Sequence, residues 1–175
     1  MSEALLAVVA VTLVVAGAAH LRAPRELRAA LDSHAVLARS VRGPVSVGLP
    51  LVEVALGVGV LLALATGAAA TVLVGLLAAA LLTAMTVYVH VAAGRSAGRA
   101  VPCGCGVGEA PLGLWVTVRS ALLAGLALVG ALTVGAAPTL ARPGSELVIM
   151  AAAVVALSIS LAALPGARAH AEVAR

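Results

Sequence analysis

AAATVLVGLLAAALLTAMTVYVHV, residues 68–91, runs for 24 positions without an aspartate, glutamate, lysine or arginine. Roughly 20 apolar residues wound as a helix cross the hydrocarbon core of a bilayer, so this stretch reads as a transmembrane helix. The rest of the chain agrees: it is 63% hydrophobic and 10% charged, with a mean hydropathy of +1.18, far outside the composition of a soluble domain. Its formal charge of +4 comes from eleven arginines and no lysine against seven acids. With one Trp, one Tyr and no Phe, there is no aromatic platform on which nucleic-acid bases could stack. The basicity therefore reports membrane topology and a bilayer as partner, not nucleic acid.

Working toward the N-terminus, a turn at Thr66-Gly67 leads back to a second span over about residues 45–65, which carries Pro50 and Glu53. A carboxyl group at membrane depth is costly and marks either a functional site or a structural carboxylate with a partner in the bundle. At about 1.5 Å of rise per residue, Glu53 lies about a third of the way in from the arginine-rich end. That end is residues 22–43, where Arg22, Arg25, Arg28, Arg39 and Arg42 are set among Leu27, Leu31 and Ala35 at helical spacing. This predicts an interfacial amphipathic helix over about 25–40, opened by Pro24 and ended by Gly43-Pro44. Before it, a first apolar run extends from Ala4 to about Leu21. Only Glu3 precedes that run where a cleaved signal would want basic residues, so it is expected to be a retained span. His20 is expected at its membrane surface, solvated.

On the other side of the opening stretch, Tyr88 and His90 close the third span, with His90 expected at the interface. A polar loop over about 94–111 follows, then a fourth span over about 112–136 with Arg119 roughly two turns in, a fifth over about 147–164, and a polar tail at 167–175. Arg119 could snorkel to the surface or pair with Glu53 at similar depth; pairing is the expectation. Gly75 with Ala79 and Ala121 with Gly125 form small-xxx-small faces suited to close helix packing. Ser158 and Ser160 read as packing or backbone-bonded hydroxyls. The expected fold is all-α: a polytopic membrane bundle of about five transmembrane helices with an interfacial helix after the first, forming one domain over residues 1–166.

Both cysteines of the chain sit in the polar loop, within Pro102-Cys103-Gly104-Cys105-Gly106. A C-x-C pair closes into a disulfide only if the chain turns sharply, because the Cα atoms must come within roughly 4.4–6.8 Å. Gly104 permits that turn. The resulting small ring is of the exchangeable rather than the structural kind. Inert loop thiols and half of a metal site are the alternatives, and structural zinc usually requires four ligands, so no metal is assigned. Arg95 or Arg99 in the same loop would favour thiolate over thiol at Cys103 and Cys105, with Glu53 or His90 handling protons.

The motifs in order are Ala16-Gly17-Ala18-Ala19-His20-Leu21-Arg22-Ala23-Pro24, then Pro50-Leu51-Val52-Glu53 with Gly57, then Cys103-Gly104-Cys105-Gly106, then Trp115 with Arg119-Ser120. Together they resemble the MauE family of methylamine-utilisation membrane proteins and its DoxX-like relatives, over about residues 13–133. The resemblance implies a four-helix core like that of vitamin K epoxide reductase and a role in thiol-disulfide chemistry, supporting disulfide formation in an exported dehydrogenase subunit. The chain departs from the family pattern at His20, where a lysine is common, and after Cys105, where an aromatic residue is often found. It has no second cysteine pair to relay electrons, which calls for a partner protein, a low-molecular-weight thiol or a quinone. No cofactor motif is evident in the sequence itself.

Three functions follow from these readings. The first is a membrane thiol-disulfide oxidoreductase or redox subunit, with Cys103 and Cys105 as the exchanging pair and Glu53, His90, Arg95, Arg99 and Arg119 in support. The second is a non-catalytic scaffold for assembly of a partner complex. The third is a small transporter built on Glu53, disfavoured by the lack of midplane charges and broken helices. Nine loop and tail arginines on the cysteine side against Arg142 on the other predict a cytoplasmic cysteine loop by the positive-inside rule. The family resemblance favours the exported side.

Overall fold

A computed structural model describes residues 2–67, 70–96, 101, 112–135, 139 and 143–173, with side chains through 163. Among these residues there are six helices: α1 (Ser2–Arg22), α2 (Pro24–His34), α3 (Arg39–Thr66), α4 (Ala70–Arg95), α5 (Leu114–Thr133) and α6 (Gly144–Val173). All but α2 are long and apolar enough to cross a membrane. The protein is therefore an all-helical, multi-pass membrane protein, as its composition requires.

Helix α1 is the axis. Its residues Leu6, Val9, Ala10 and Leu13 join Val60 and Leu64 of α3, Ala78, Ala79 and Leu82 of α4, and Leu123, Ala127 and Ala131 of α5 in one core. Lipid tails are as apolar as these side chains, so association rests on close packing more than on the hydrophobic effect. Glycines make that approach feasible. A Cβ on Gly17 would stand 2.8 Å from the Pro50 carbonyl oxygen, and one on Gly57 would stand 2.7 Å from that of Ala10. The α1–α3 crossing thus rests on a reciprocal pair of glycines. Gly75 of α4 and Gly130 of α5 play the same part, the first against Ala131 and the second against Leu6.

Gly75 and Ala79 are both buried in this packing, as expected. Ala121 and Gly125 are not: both are exposed, and nothing lies within 4 Å of a Cβ placed on Gly125. Helix α5 buries instead the face carrying Val116, Arg119, Leu123, Ala127, Gly130 and Ala131. Two small residues four apart permit close packing, but the larger stripe beside them decides which face turns inward.

The interfacial helix is shorter than expected and ends for another reason. Pro24 opens it at the first turn, but Ala35 adopts the left-handed conformation, φ 52° and ψ 25°, and stops it at His34. The chain then re-enters helix at Arg39, and Pro44 and Pro50 both lie inside α3. Long-range contacts hold this unusual turn. Arg42 donates from Nε to the Leu37 carbonyl (2.9 Å) and from Nη1 to Asp32 (3.0 Å), while Arg95 Nη1 donates to the Ala35 carbonyl (3.0 Å). At the opposite end of α3, Gly67 supplies a left-handed cap whose N–H bonds the Ala63 carbonyl, as the Thr66-Gly67 turn predicts. Helix α6 runs on to Val173 through the stretch read as a tail.

Candidate functional site at the arginine-rich end of the bundle

Helix alternation brings the end of α1, the start of α3, the end of α4 and the start of α5 to the same end of the bundle, where α2 lies across them. Helix α2 turns Leu27, Ala30, Leu31 and His34 inward and leaves Arg25, Glu26, Arg28 and Asp32 exposed. Beneath it is a cavity of about 250 Å³. Its walls are almost entirely aliphatic, from Leu27 and Leu31 of α2, Val45 and Leu49 of α3, and Leu81 and Met85 of α4.

Three polar side chains enter this apolar space: His20, His34 and Tyr88. His34 Nδ1 and the Tyr88 hydroxyl are 2.8 Å apart, with their rings tilted at 53°. His20 is only 4% exposed, so the last turn of α1 is roofed by α2 and the imidazole is enclosed rather than solvated. A few converging polar groups in an otherwise apolar pocket are what a small-molecule site requires.

Tyr88 links the cavity to a residue that flanks the cysteine segment. Tyr88 packs with Leu112 against Val89 and Val116. The Leu112 N–H donates to the Val101 carbonyl at 2.9 Å, which ties together the two flanks of the intervening stretch. Cys103 and Cys105 lie in that stretch and Arg99 just before Val101, all outside the described residues.

The remaining expected site residues separate. Arg95 is exposed and caps α2 through Ala35. His90 is exposed on α4, on a different face from Tyr88 and Val89. Glu53 is 1% exposed at the α1–α3 crossing, with its Cβ against Gly17 and its Oε2 without a hydrogen-bond partner. Because Leu49 precedes Glu53 by four residues on α3, Glu53 sits about one turn, or roughly 6 Å, deeper than the cavity wall.

The expected Glu53–Arg119 ion pair does not form; among the described residues, the ion pair seen is Arg42–Asp32. Arg119 is buried in α5 beside a different cavity, formed with α1 and α6. Helix α1 packs against both α3 and α5 and stands between the two residues. Similar depth does not bring side chains together when a third helix separates their faces.

Sequence reasoning missed His34. Its signal was available, because Leu27, Leu31 and His34 recur at the four- and three-residue spacing of one helical face. The residue taken to complete that face, Ala35, is instead the helix cap.

Residues 1–133 match the family described as methylamine utilisation protein MauE. No curated protein and no solved structure matches the chain.

Proposed function

Because this chain belongs to the MauE family, we propose that it serves a methylamine-utilisation system as a membrane thiol-disulfide redox protein, exchanging a Cys103–Cys105 disulfide with the thiols of a partner protein. In one turnover two partner thiols are oxidised to a disulfide and the Cys103–Cys105 disulfide is reduced to a dithiol. Restoring the disulfide then removes two electrons and two protons. With no second cysteine pair in the chain, the acceptor is external, and a membrane quinone is the class that the site suits.

The observation that carries this reading is the cavity lined by His20 and the His34–Tyr88 pair, whose Tyr88 packs with Leu112 at the edge of the cysteine segment. Its volume is near the lower end for small-molecule sites, roughly 300–1,000 Å³, which suits a single ring with its tail extending into lipid. A quinone supplies a two-electron, two-proton acceptor. His20 and the Tyr88 hydroxyl would hold its carbonyl oxygens by hydrogen bonding, the aliphatic walls would exclude water, and Glu53, one turn deeper, would exchange protons with the site. Arg95 and Arg99 would stabilise the cysteine thiolate released when a partner thiolate attacks the disulfide.

Non-catalytic assembly is the second reading, and helix α6 favours it. This helix lies beyond the family match, and Val148 and Ile149 are 69% and 70% exposed, a surface free to meet another membrane helix.

Titrating the reduced, detergent-solubilised protein with a short-chain ubiquinone analogue, and counting free thiols by maleimide mass shift, tests the proposal. Two thiols should disappear per quinone reduced. Thiols that persist at saturating quinone would remove the quinone, and activity that survives in a Cys103→Ser/Cys105→Ser variant would favour the assembly reading.

A further inference from the structure

Arg119 has no hydrogen bond or ion pair among the described residues, although it is only 8% exposed. It lies about 7–8 Å beyond the start of α5, and its enclosure means that it does not snorkel. Beside it is a second cavity, of about 270 Å³, between α1, α5 and α6. Ser158 of α6 lines the same cavity, and its Oγ is likewise buried without a partner. Thr12, the other polar residue there, already donates to the Val8 carbonyl at 2.8 Å. The space therefore holds a permanent cation and an unsatisfied hydroxyl in aliphatic surroundings, an arrangement that is costly unless an anion completes it.

We propose that this cavity binds the anionic head, phosphate or carboxylate, of an acidic membrane amphiphile, with the Arg119 guanidinium as its counter-ion and the Ser158 hydroxyl as a second donor. The planar guanidinium presents paired N–H groups that match such oxyanions. Entry is from the bilayer, because Val15, Val155 and Ile159 on the cavity wall are 50%, 57% and 64% exposed on the protein's lateral surface. The volume accommodates a head group and a few methylenes, leaving the rest of the chain to lie along α6. One bound amphiphile would thereby fasten α6, the span that buries least of itself in the bundle, to α1 and α5. This site is separate from the His20–His34–Tyr88 cavity and does not depend on the redox reading.

Native mass spectrometry of the full chain in a non-ionic detergent tests the site, using dioleoylphosphatidylglycerol, dioleoylphosphatidylcholine and palmitate as probes. One equivalent of phosphatidylglycerol or palmitate should be retained in preference to phosphatidylcholine; preference between the first two identifies the head as phosphate or carboxylate. Arg119→Gln should weaken retention roughly 10- to 100-fold, the loss expected for a charge-assisted contact, while Arg119→Lys should keep most of it. Should Arg119→Gln fail to fold, Ser158→Ile, which fills the cavity and leaves the arginine in place, decides alone by abolishing retention. Retention by the wild type of neither phosphatidylglycerol nor palmitate above phosphatidylcholine, or undiminished retention in Arg119→Gln or Ser158→Ile, would overturn the proposal.

Discussion

The hydroxyl of Tyr88 and Nδ1 of His34 lie 2.8 Å apart and join the interfacial helix to the fourth helix across 54 residues of sequence. This bond helps seat the helix and sets the polar edge of the cavity beneath it. Tyr88→Phe keeps the ring and removes the bond. We expect a loss of about 0.5–1.5 kcal/mol, read as a lower unfolding midpoint in detergent, together with slower oxidation of the dithiol by a quinone analogue. An unchanged midpoint would mean that apolar packing of Leu27 and Leu31 suffices to seat α2.

The α1–α3 crossing should tolerate nothing larger than glycine at two positions. A Cβ on Gly17 or Gly57 meets a backbone carbonyl oxygen inside 3 Å, and backbone cannot move aside as a flexible side chain can. Gly17→Val and Gly57→Val should each cost about 1–3 kcal/mol through overpacking, whereas Gly125→Ala, with open space around it, should leave the midpoint unchanged or raise it. Equal effects at the three sites would show that helix propensity rather than the crossing is being measured.

The spans were legible in the sequence because a hydrocarbon core demands long uncharged runs, and residues 68–91 meet that demand unaided. Burial of Glu53 followed from the same logic. The end of α2 did not, since alanine rarely caps a helix in the left-handed conformation and the bond to the Ala35 carbonyl comes from Arg95, 60 residues away. Nor was the surrounding of Arg119 legible. Residue counting gives depth along a helix, but which neighbour a side chain faces depends on the packing order of α3, α1 and α5. His34 was recoverable from spacing, and its bond to Tyr88 required knowing that the end of α4 lies beneath α2.

Arg42 should behave as a structural residue rather than a headgroup ligand. Its side chain is 13% exposed and ties Asp32 to the Leu37 carbonyl across the turn between α2 and α3. Arg42→Ala should accelerate proteolytic cleavage within residues 35–38 in detergent, and Arg42→Lys should rescue it poorly, because an ammonium cannot reproduce the two-directional fork of the guanidinium. Cleavage no faster than in the wild type would return Arg42 to the pool of lipid-facing charges.

Orientation is set against itself by two physical expectations. Arg22, Arg25, Arg28, Arg39, Arg42, Arg95, Arg99, Arg168 and Arg175 lie on the cysteine side of the chain and Arg142 on the other, which by the positive-inside rule directs the cysteines to the cytoplasm. Disulfide exchange with an exported partner needs them outside. The charge count is carried by the chain itself, and Arg42 and Arg95, which have contacts within the protein, still count because the rule acts before the protein folds. A membrane-impermeant maleimide should therefore fail to label Cys103 and Cys105 in intact cells and label them after permeabilisation. Labelling in intact cells would place the thiols outside and agree with an exported substrate.

Exchange is reversible, so the reduced Cys103 thiolate also attacks the disulfide of the oxidised partner; if Cys105 resolves the resulting mixed disulfide, removing the resolver should strand the intermediate. Exchange proceeds by attack of one thiolate on a disulfide sulfur, and the leaving thiolate departs when a second thiol of the same protein takes its place. Cys105→Ser lacks that second thiol, so it should accumulate a covalent adduct with the partner that disappears on reduction, visible as a mass shift on a non-reducing gel. Cys103→Ser should accumulate much less. Equal trapping by the two variants would keep the exchange chemistry and remove the assignment of attacker and resolver. Absence of an adduct in both, with full activity in the double variant, would end the redox reading and leave the chain as an assembly factor whose cysteines serve only to shape the segment that carries them.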